Sequence, residues 1–195
     1  MLEQSLITHC APTLAGLKTA GLFCFSYTSE SMLQAELRRC RLALGNKGVR
    51  IRVLRRHRGR ALLYVYRPAK LRQDFQKPGV APFLQRMGYA LQPEIALGQL
   101  EQRLARRPGC PHEIGLFLGY PLADVVGFME NGGENCKYTG CWKVYSNVAE
   151  ARQRFAQFKR CQSIYAVQFQ RGKTLSQLTV PGFPPPEAQA FFWHT

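Results

Sequence analysis

Apolar and polar positions along this chain recur with two periods, and the points where one period gives way to the other mark its elements. Residues 20–27 (AGLFCFSY) are a short aromatic run ending in Thr-Ser-Glu, which predicts a buried strand. Met32, Leu33, Leu37, Cys40 and Leu44 then recur at three- and four-residue steps, predicting a helix over about 30–44 closed by Gly45-Asn46. Val49, Ile51 and Val53 alternate with Arg50 and Arg52, the pattern of a half-buried strand with a cationic outer face. Arg55 to Gly59 reads as a turn and 61–66 as the returning strand, so this hairpin is the clearest local unit.

Pro68 opens a mostly helical middle, with helices predicted over 69–76, 81–87, 94–106, 111–118 and 122–130. A glycine-rich loop at 131–135 changes the character of the chain. Beyond it lie a strand candidate at 141–145, a helix from Asn147 through Lys159 with Asn147 and Glu150 as capping box, and a last strand at 164–169. Residues 174–180 fit one helical turn or a short strand. Near the N-terminus, Thr13 is placed to cap a short helix over 14–19.

This order predicts an α+β or α/β layered domain, with a four- to five-strand mixed sheet under helical cover. Its final β-α-β, if parallel, would cross right-handed. At 195 residues, 46% hydrophobic and 20% charged, the chain has material for a core, and one domain over 1–180 with a flexible Pro-rich tail at 181–195 is expected. No apolar run approaches a membrane span and no basic-then-apolar leader opens the chain, so a cytoplasmic protein without membrane partners is expected. Seven scattered cysteines suit free thiols better than a disulfide framework, with Cys24 and Cys40 as small core residues.

Charge changes the picture most. The formal net charge is +15, and residues 38–77 hold fourteen Lys or Arg against the single acid Asp74. Such a field attracts nucleic acid, anionic metabolites or an acidic protein. On the hairpin, Arg50, Arg52, Arg55, Arg56, Arg58 and Arg60 are the candidate nucleic-acid contacts, and Tyr64, Tyr66 and Arg67 could stack a flat ligand beside them or seal a sheet edge.

The densest chemistry is Cys110-Pro111-His112-Glu113, a thiol, an imidazole and a carboxylate at the expected mouth of a helix. Free amides there would favour an anion and lower a thiol pKa, or Glu113 could simply satisfy them while His112 packs against Tyr120. A second cluster, His9, Cys10, Thr13 and Lys18, precedes the first strand, where Cys10 and Lys18 could line a pocket or the lysine could be a solvated charge. Cys136-x4-Cys141 lacks the second pair a structural zinc site needs, so no metal ligands are assigned. Neither a phosphate loop nor a dinucleotide fingerprint is present, and no cofactor is implied.

Four blocks carry a resemblance: HCAPTLAGLKTAGLF at 9–23, YVYRP at 64–68, PHEIGLFLGYPLADVVGF at 111–128, and GCWKVY at 140–145 followed by a helix ending in KRC. Together they resemble the domain-of-unknown-function family numbered 3793, found mainly in anaerobic Firmicutes, over about residues 6–178. The resemblance brings no activity, only places to look, and an association with flavodoxins, acidic redox proteins that a +15 surface would match. It favours a protein binding a small anionic ligand or serving anaerobic redox metabolism. Lys18, Tyr66, Arg67 and Tyr120 would hold the ligand, His112 or Glu113 would move a proton, and Cys10 would supply a thiolate. The alternatives are a nucleic-acid-binding module using the hairpin arginines, and an adaptor for an acidic flavodoxin-like partner.

Overall fold

The alternation of the arginine-rich hairpin sets the frame of the molecule. The computed structural model describes residues 1–106 and 109–182. In it β2 (Arg50–His57) turns through Arg58-Gly59 into β3 (Arg60–Tyr66), and β1 (Ala20–Ser26) pairs along the other edge of β3. The order is β1-β3-β2, antiparallel throughout. Side chains alternate between faces. Ala61, Leu63 and Val65 join Phe23 and Phe25 in a core shared with α1 (Leu2–Leu14) and α2 (Glu30–Gly45). Tyr64 and Tyr66 enter the opposite core, built with α3 (Pro68–Phe75), α4 (Val80–Arg86), α5 (Pro93–Arg106), α6 (Ile114–Phe117) and α7 (Leu122–Glu130). A bulge between Val53 and Arg55 turns Leu54 into this second core. Each fully buried Leu or Phe contributes about 1.5–3 kcal/mol, so helices are held on both faces.

The chain continues through β4 (Tyr138–Thr139), β5 (Lys143–Val144), α8 (Val148–Gln170) and α9 (Leu175–Leu178). The molecule is therefore a mixed α/β domain in which the five strands among the described residues divide into a three-stranded sheet and a two-stranded ribbon, β4-β5. The expected parallel crossover is not formed, because 164–169 is not a strand. Phe158, Cys161, Tyr165 and Phe169 fall at three- and four-residue steps on the packed side of one long helix, while Ile164 and Val167 stay exposed. No Gly or Pro interrupts the run before Gly172, so nothing stops the helix.

The N-terminal helix also differs from expectation. Thr13 does not start a helix; it lies in the last turn of α1, which Leu2, Leu6, Ile7, Cys10 and Leu14 bury along one stripe. The helix expected over 111–118 shrinks to Ile114–Phe117. Residues 174–180 resolve into α9, closed by a reciprocal Thr174–Gln177 capping box. At Asn147 the side chain caps α8 by accepting from the Glu150 amide. Cys24, expected in the core, is exposed, because the alternation that buries Phe23 and Phe25 turns it outward, whereas Cys40 is buried. The tail expected at 181–195 lies, from residue 183 onward, outside the described residues. No described helix is long and apolar enough to cross a membrane.

Candidate functional site

Lys18 reaches its place because α1 ends abruptly. Gly16 takes a left-handed φ of 75°, and the amides of Leu17 and Lys18 both return to the Pro12 carbonyl at 2.8 and 3.1 Å. The Lys18 ammonium then lies over the Tyr120 ring, 5.1 Å from its centroid. Gly119, with φ 79°, makes this approach possible: a Cβ there would meet the Thr19 hydroxyl at 2.6 Å. Thr19 in turn donates to the Asp74 carboxylate, tying the start of β1 to α3.

Around this point several elements converge on a cavity of about 240 Å³. The α1–β1 turn supplies Lys18 and Thr19, and α3 with the residues just after it supplies Lys70, Asp74 and Lys77 from one face. The α6–α7 turn supplies Tyr120, the ribbon Trp142, and α8 Arg154 and Gln157. Four cations thus face one carboxylate. Lys77 is paired to Asp74 at 2.6 Å and Arg154 to Glu150 at 2.6 Å. Among the described residues neither Lys18 nor Lys70 has a carboxylate within ion-pair reach. Burial lowers the Lys18 pKa from the ordinary lysine value, and the nearby Cys141 and Cys10 thiols offset this only in part. Burial also pushes the Tyr120 phenol up to about 12, so it stays protonated. This arrangement can hold an anion.

Across the Tyr120–Trp142 pair lies a second, more apolar cleft of about 330 Å³, lined by Pro111, Ile114, Val125, Phe128 and Trp142, with Cys110, His112 and Cys141. The two rings stack at 4.7 Å and line both spaces. Asp124 fixes them. Its carboxylate accepts from the Trp142 indole at 2.7 Å, the Tyr145 and Ser146 amides at 2.9 and 2.8 Å, and the Ser146 hydroxyl at 2.7 Å. Burial alone would raise its pKa, but bonds from Ser146, Trp142 and Tyr145 outweigh that and hold it below the ordinary carboxylate value.

The residues singled out in the sequence are distributed unevenly. Lys18 and Tyr120 meet in the basic cavity, and His112 lies one wall away, its ring 5.0 Å from that of Phe128. Glu113 is no free acid or base: it is buried, ion-paired to Arg103 at 2.9 Å and bonded by the Tyr89 hydroxyl at 3.0 Å. Cys10 is fully buried and desolvation pushes its thiol up to about 12, so it offers no thiolate near neutral pH. Cys110, an exposed residue, was expected to be lowered by a helix mouth; partial desolvation of its thiol raises it instead, and the four-residue α6 has little dipole to oppose this. Tyr66 is buried, stacks on Tyr64 at 4.9 Å and bonds Glu94 through its hydroxyl, so it presents no face to a ligand. Arg67 spends its donors on the carbonyls of Thr13, Leu14, Lys47 and Val180 and has little left for an anion.

The hairpin arginines are less free than their count suggests. Arg50 and Arg52, read as an outer face, point at α5 and pair with Glu94 at 3.2 Å and Glu101 at 2.9 Å, and Arg56 pairs with Glu30 at 3.4 Å. Arg55 donates to the Gly109 carbonyl at 3.4 Å, Arg58 forms the turn, and Arg60 remains exposed. Among the described residues no group of three or more His, Cys, Asp or Glu side chains is placed to hold a metal; Cys136 meets Thr139 at 3.3 Å.

Lys70, Lys77, Arg154, Asp124 and Trp142 were missed in the sequence. The signal for the first two was present, since Lys70, Asp74 and Lys77 follow helical spacing, but nothing in sequence distinguishes a cavity-facing stripe from a solvated one.

A family model described as "Protein of unknown function (DUF3793)" matches residues 6–179. No curated protein and no solved structure matches the chain.

Proposed function

The chain belongs to the DUF3793 family, and we propose that it binds a small anionic ligand in the cavity formed by Lys18, Lys70, Lys77 and Arg154. One observation carries this reading: four cations and one carboxylate line a space of about 240 Å³, with two of the cations lacking any carboxylate partner among the described residues. Like charges gathered in a partly enclosed space repel one another, and a bound anion relieves that repulsion. The size suits a ligand of a few heavy atoms, and the Tyr120–Trp142 wall offers it a flat apolar side. Binding by the hairpin is the weaker reading, because Arg50, Arg52 and Arg56 are already matched by glutamates.

Thermal unfolding in inorganic phosphate against chloride of equal ionic strength tests the reading. Binding to the folded state alone raises Tm with ligand concentration. The wild-type chain should show the rise and the Lys70→Met chain should lose most of it. An equal rise in both would place any phosphate elsewhere and dismiss the cavity.

A further inference from the structure

Beyond that reading, we propose that the apolar cleft across the Tyr120–Trp142 stack is a second binding site, which takes a small flat aromatic acid with its rings between the walls and its carboxylate on Lys143. The cleft measures about 330 Å³, at the small end of small-molecule sites and suited to one or two fused rings. Its walls are held rather than free to fall in. Asp124 fixes the Trp142 indole at 2.7 Å. At Gly133, where φ is 83°, a Cβ would come within 3.1 Å of the Phe128 ring, and at Gly115 one would meet Val125 at 2.7 Å and Tyr120 at 3.1 Å. Bare backbone thus packs against these walls, and larger residues at the two glycines would drive Phe128, Val125 or Tyr120 out of place. A space shaped before its ligand arrives loses little freedom on binding. Apolar walls facing water carry a free-energy cost that a flat ring recovers by covering them.

The polar groups of the cleft choose the rest of the ligand. Asp124 is no partner for it, since its carboxylate already accepts four hydrogen bonds. Lys143, half-buried on β5, has three donors and places one on the Gly133 carbonyl at 2.5 Å. Among the described residues it forms no ion pair. Its remaining donors can meet a carboxylate through a charge-assisted bond. The exposed His112, its ring 5.0 Å from that of Phe128, extends the aromatic lining toward solvent. One unmatched lysine beside apolar rings fits a singly charged aromatic acid, whereas the four cations of the neighbouring cavity fit a compact anion.

Isothermal titration of the full chain with 2-naphthoate, at neutral pH and constant ionic strength, tests the site. Saturable binding should appear with a Kd on the order of 1 mM or tighter. Cyclohexanecarboxylate, of equal charge but not flat, should bind roughly three- to tenfold more weakly. Lys143→Met should weaken 2-naphthoate about tenfold, the worth of one charge-assisted hydrogen bond, and leave the neutral 2-naphthalenemethanol unchanged. Equal loss of both ligands in that variant would make the lysine a prop for the wall and overturn its recognition of the carboxylate. Saturating phosphate and Lys70→Met should each move the 2-naphthoate Kd by less than about twofold, because they act on the other cavity. Displacement by phosphate, together with loss of binding in Lys70→Met, would put the acid among the cations there and overturn the second site while leaving the anion reading standing. No saturable binding of 2-naphthoate, or equal binding of cyclohexanecarboxylate, overturns the second site even where phosphate still raises Tm.

Discussion

Arg67 and Lys18 both serve the α1–β1 turn, the first buried and the second half-buried, and the fold treats them in opposite ways. The Arg67 guanidinium donates to Thr13 at 2.7 Å, Leu14 at 2.6 Å and Val180 at 2.7 Å, with a longer bond to Lys47 at 3.4 Å. Those carbonyls include two in the last turn of α1, where a cation also meets the negative pole of the helix. Lys18 has an aromatic face and other cations instead. A buried cation with its donors used is a staple, because removing it takes a charge-assisted bond from several carbonyls at once, leaving those of Thr13, Leu14 and Lys47 with their backbone partners alone. A half-buried cation with its donors unused adds nothing to the fold unless something else binds. What separates the two charges is therefore their partners as much as their burial.

The sharpest way to break the comparison is Arg67→Met. It should cost about 3–5 kcal/mol in urea-induced unfolding, since charge-assisted bonds to carbonyls of three separate segments, those of Thr13 and Leu14 buried and the others partly so, are lost together. Arg67→Lys should recover little, because one ammonium cannot span the same fork. A loss below about 1 kcal/mol would mean that the guanidinium holds nothing together.

Asp124→Ala should come next, at about 2–4 kcal/mol, by stranding the Trp142 indole and the Tyr145 and Ser146 amides. Its pH dependence has a definite sign. The folded-state pKa of Asp124 lies below the unfolded value of 3.8. Its contribution is thus complete above that value and is lost as pH falls through the folded pKa. Wild-type and variant stabilities should converge in acid, and a constant gap down to low pH would assign the effect to packing rather than to the carboxylate. Near-ultraviolet circular dichroism should report a looser Trp142 in the variant.

These two residues also show what the sequence could and could not disclose. The hairpin and α7 were legible because their patterns are local: alternation over 49–66, and an apolar stripe between Pro121 and Asn131. The second half of α8 was misread as a strand because Ile164, Tyr165 and Val167 favour strands individually, while the stripe that decides it, Phe158-Cys161-Tyr165-Phe169, starts earlier. Lys18 and Tyr120 were within reach of sequence reasoning as candidates, but Arg67 and Glu113 looked equally chemical. What separates them is whether a carbonyl or an arginine waits across the fold, and sequence spacing carries no such information at separations of 54 residues, as between Arg67 and Thr13. Asp124 sat in the open, read only as one position of a helix, because its partners lie 18–22 residues on, in and just after the strand candidate at 141–145, and spacing alone does not pair the two.

The smallest effect should come from Lys18→Met, and its smallness is the point. With no bond to lose among the described residues, the variant should unfold within about 0.5 kcal/mol of wild type at neutral pH, or be the more stable chain. The sign with pH follows from burial. The folded-state pKa of Lys18 lies below its unfolded value of 10.5, so between the two the unfolded chain binds more protons. Wild-type stability should therefore rise with pH across that window relative to the variant, whose side chain does not titrate. Parallel stability curves for the two chains from neutral to alkaline pH would show that Lys18 keeps an ordinary, solvated ammonium. It would then be one more surface charge, and the contrast with Arg67 would reduce to exposure.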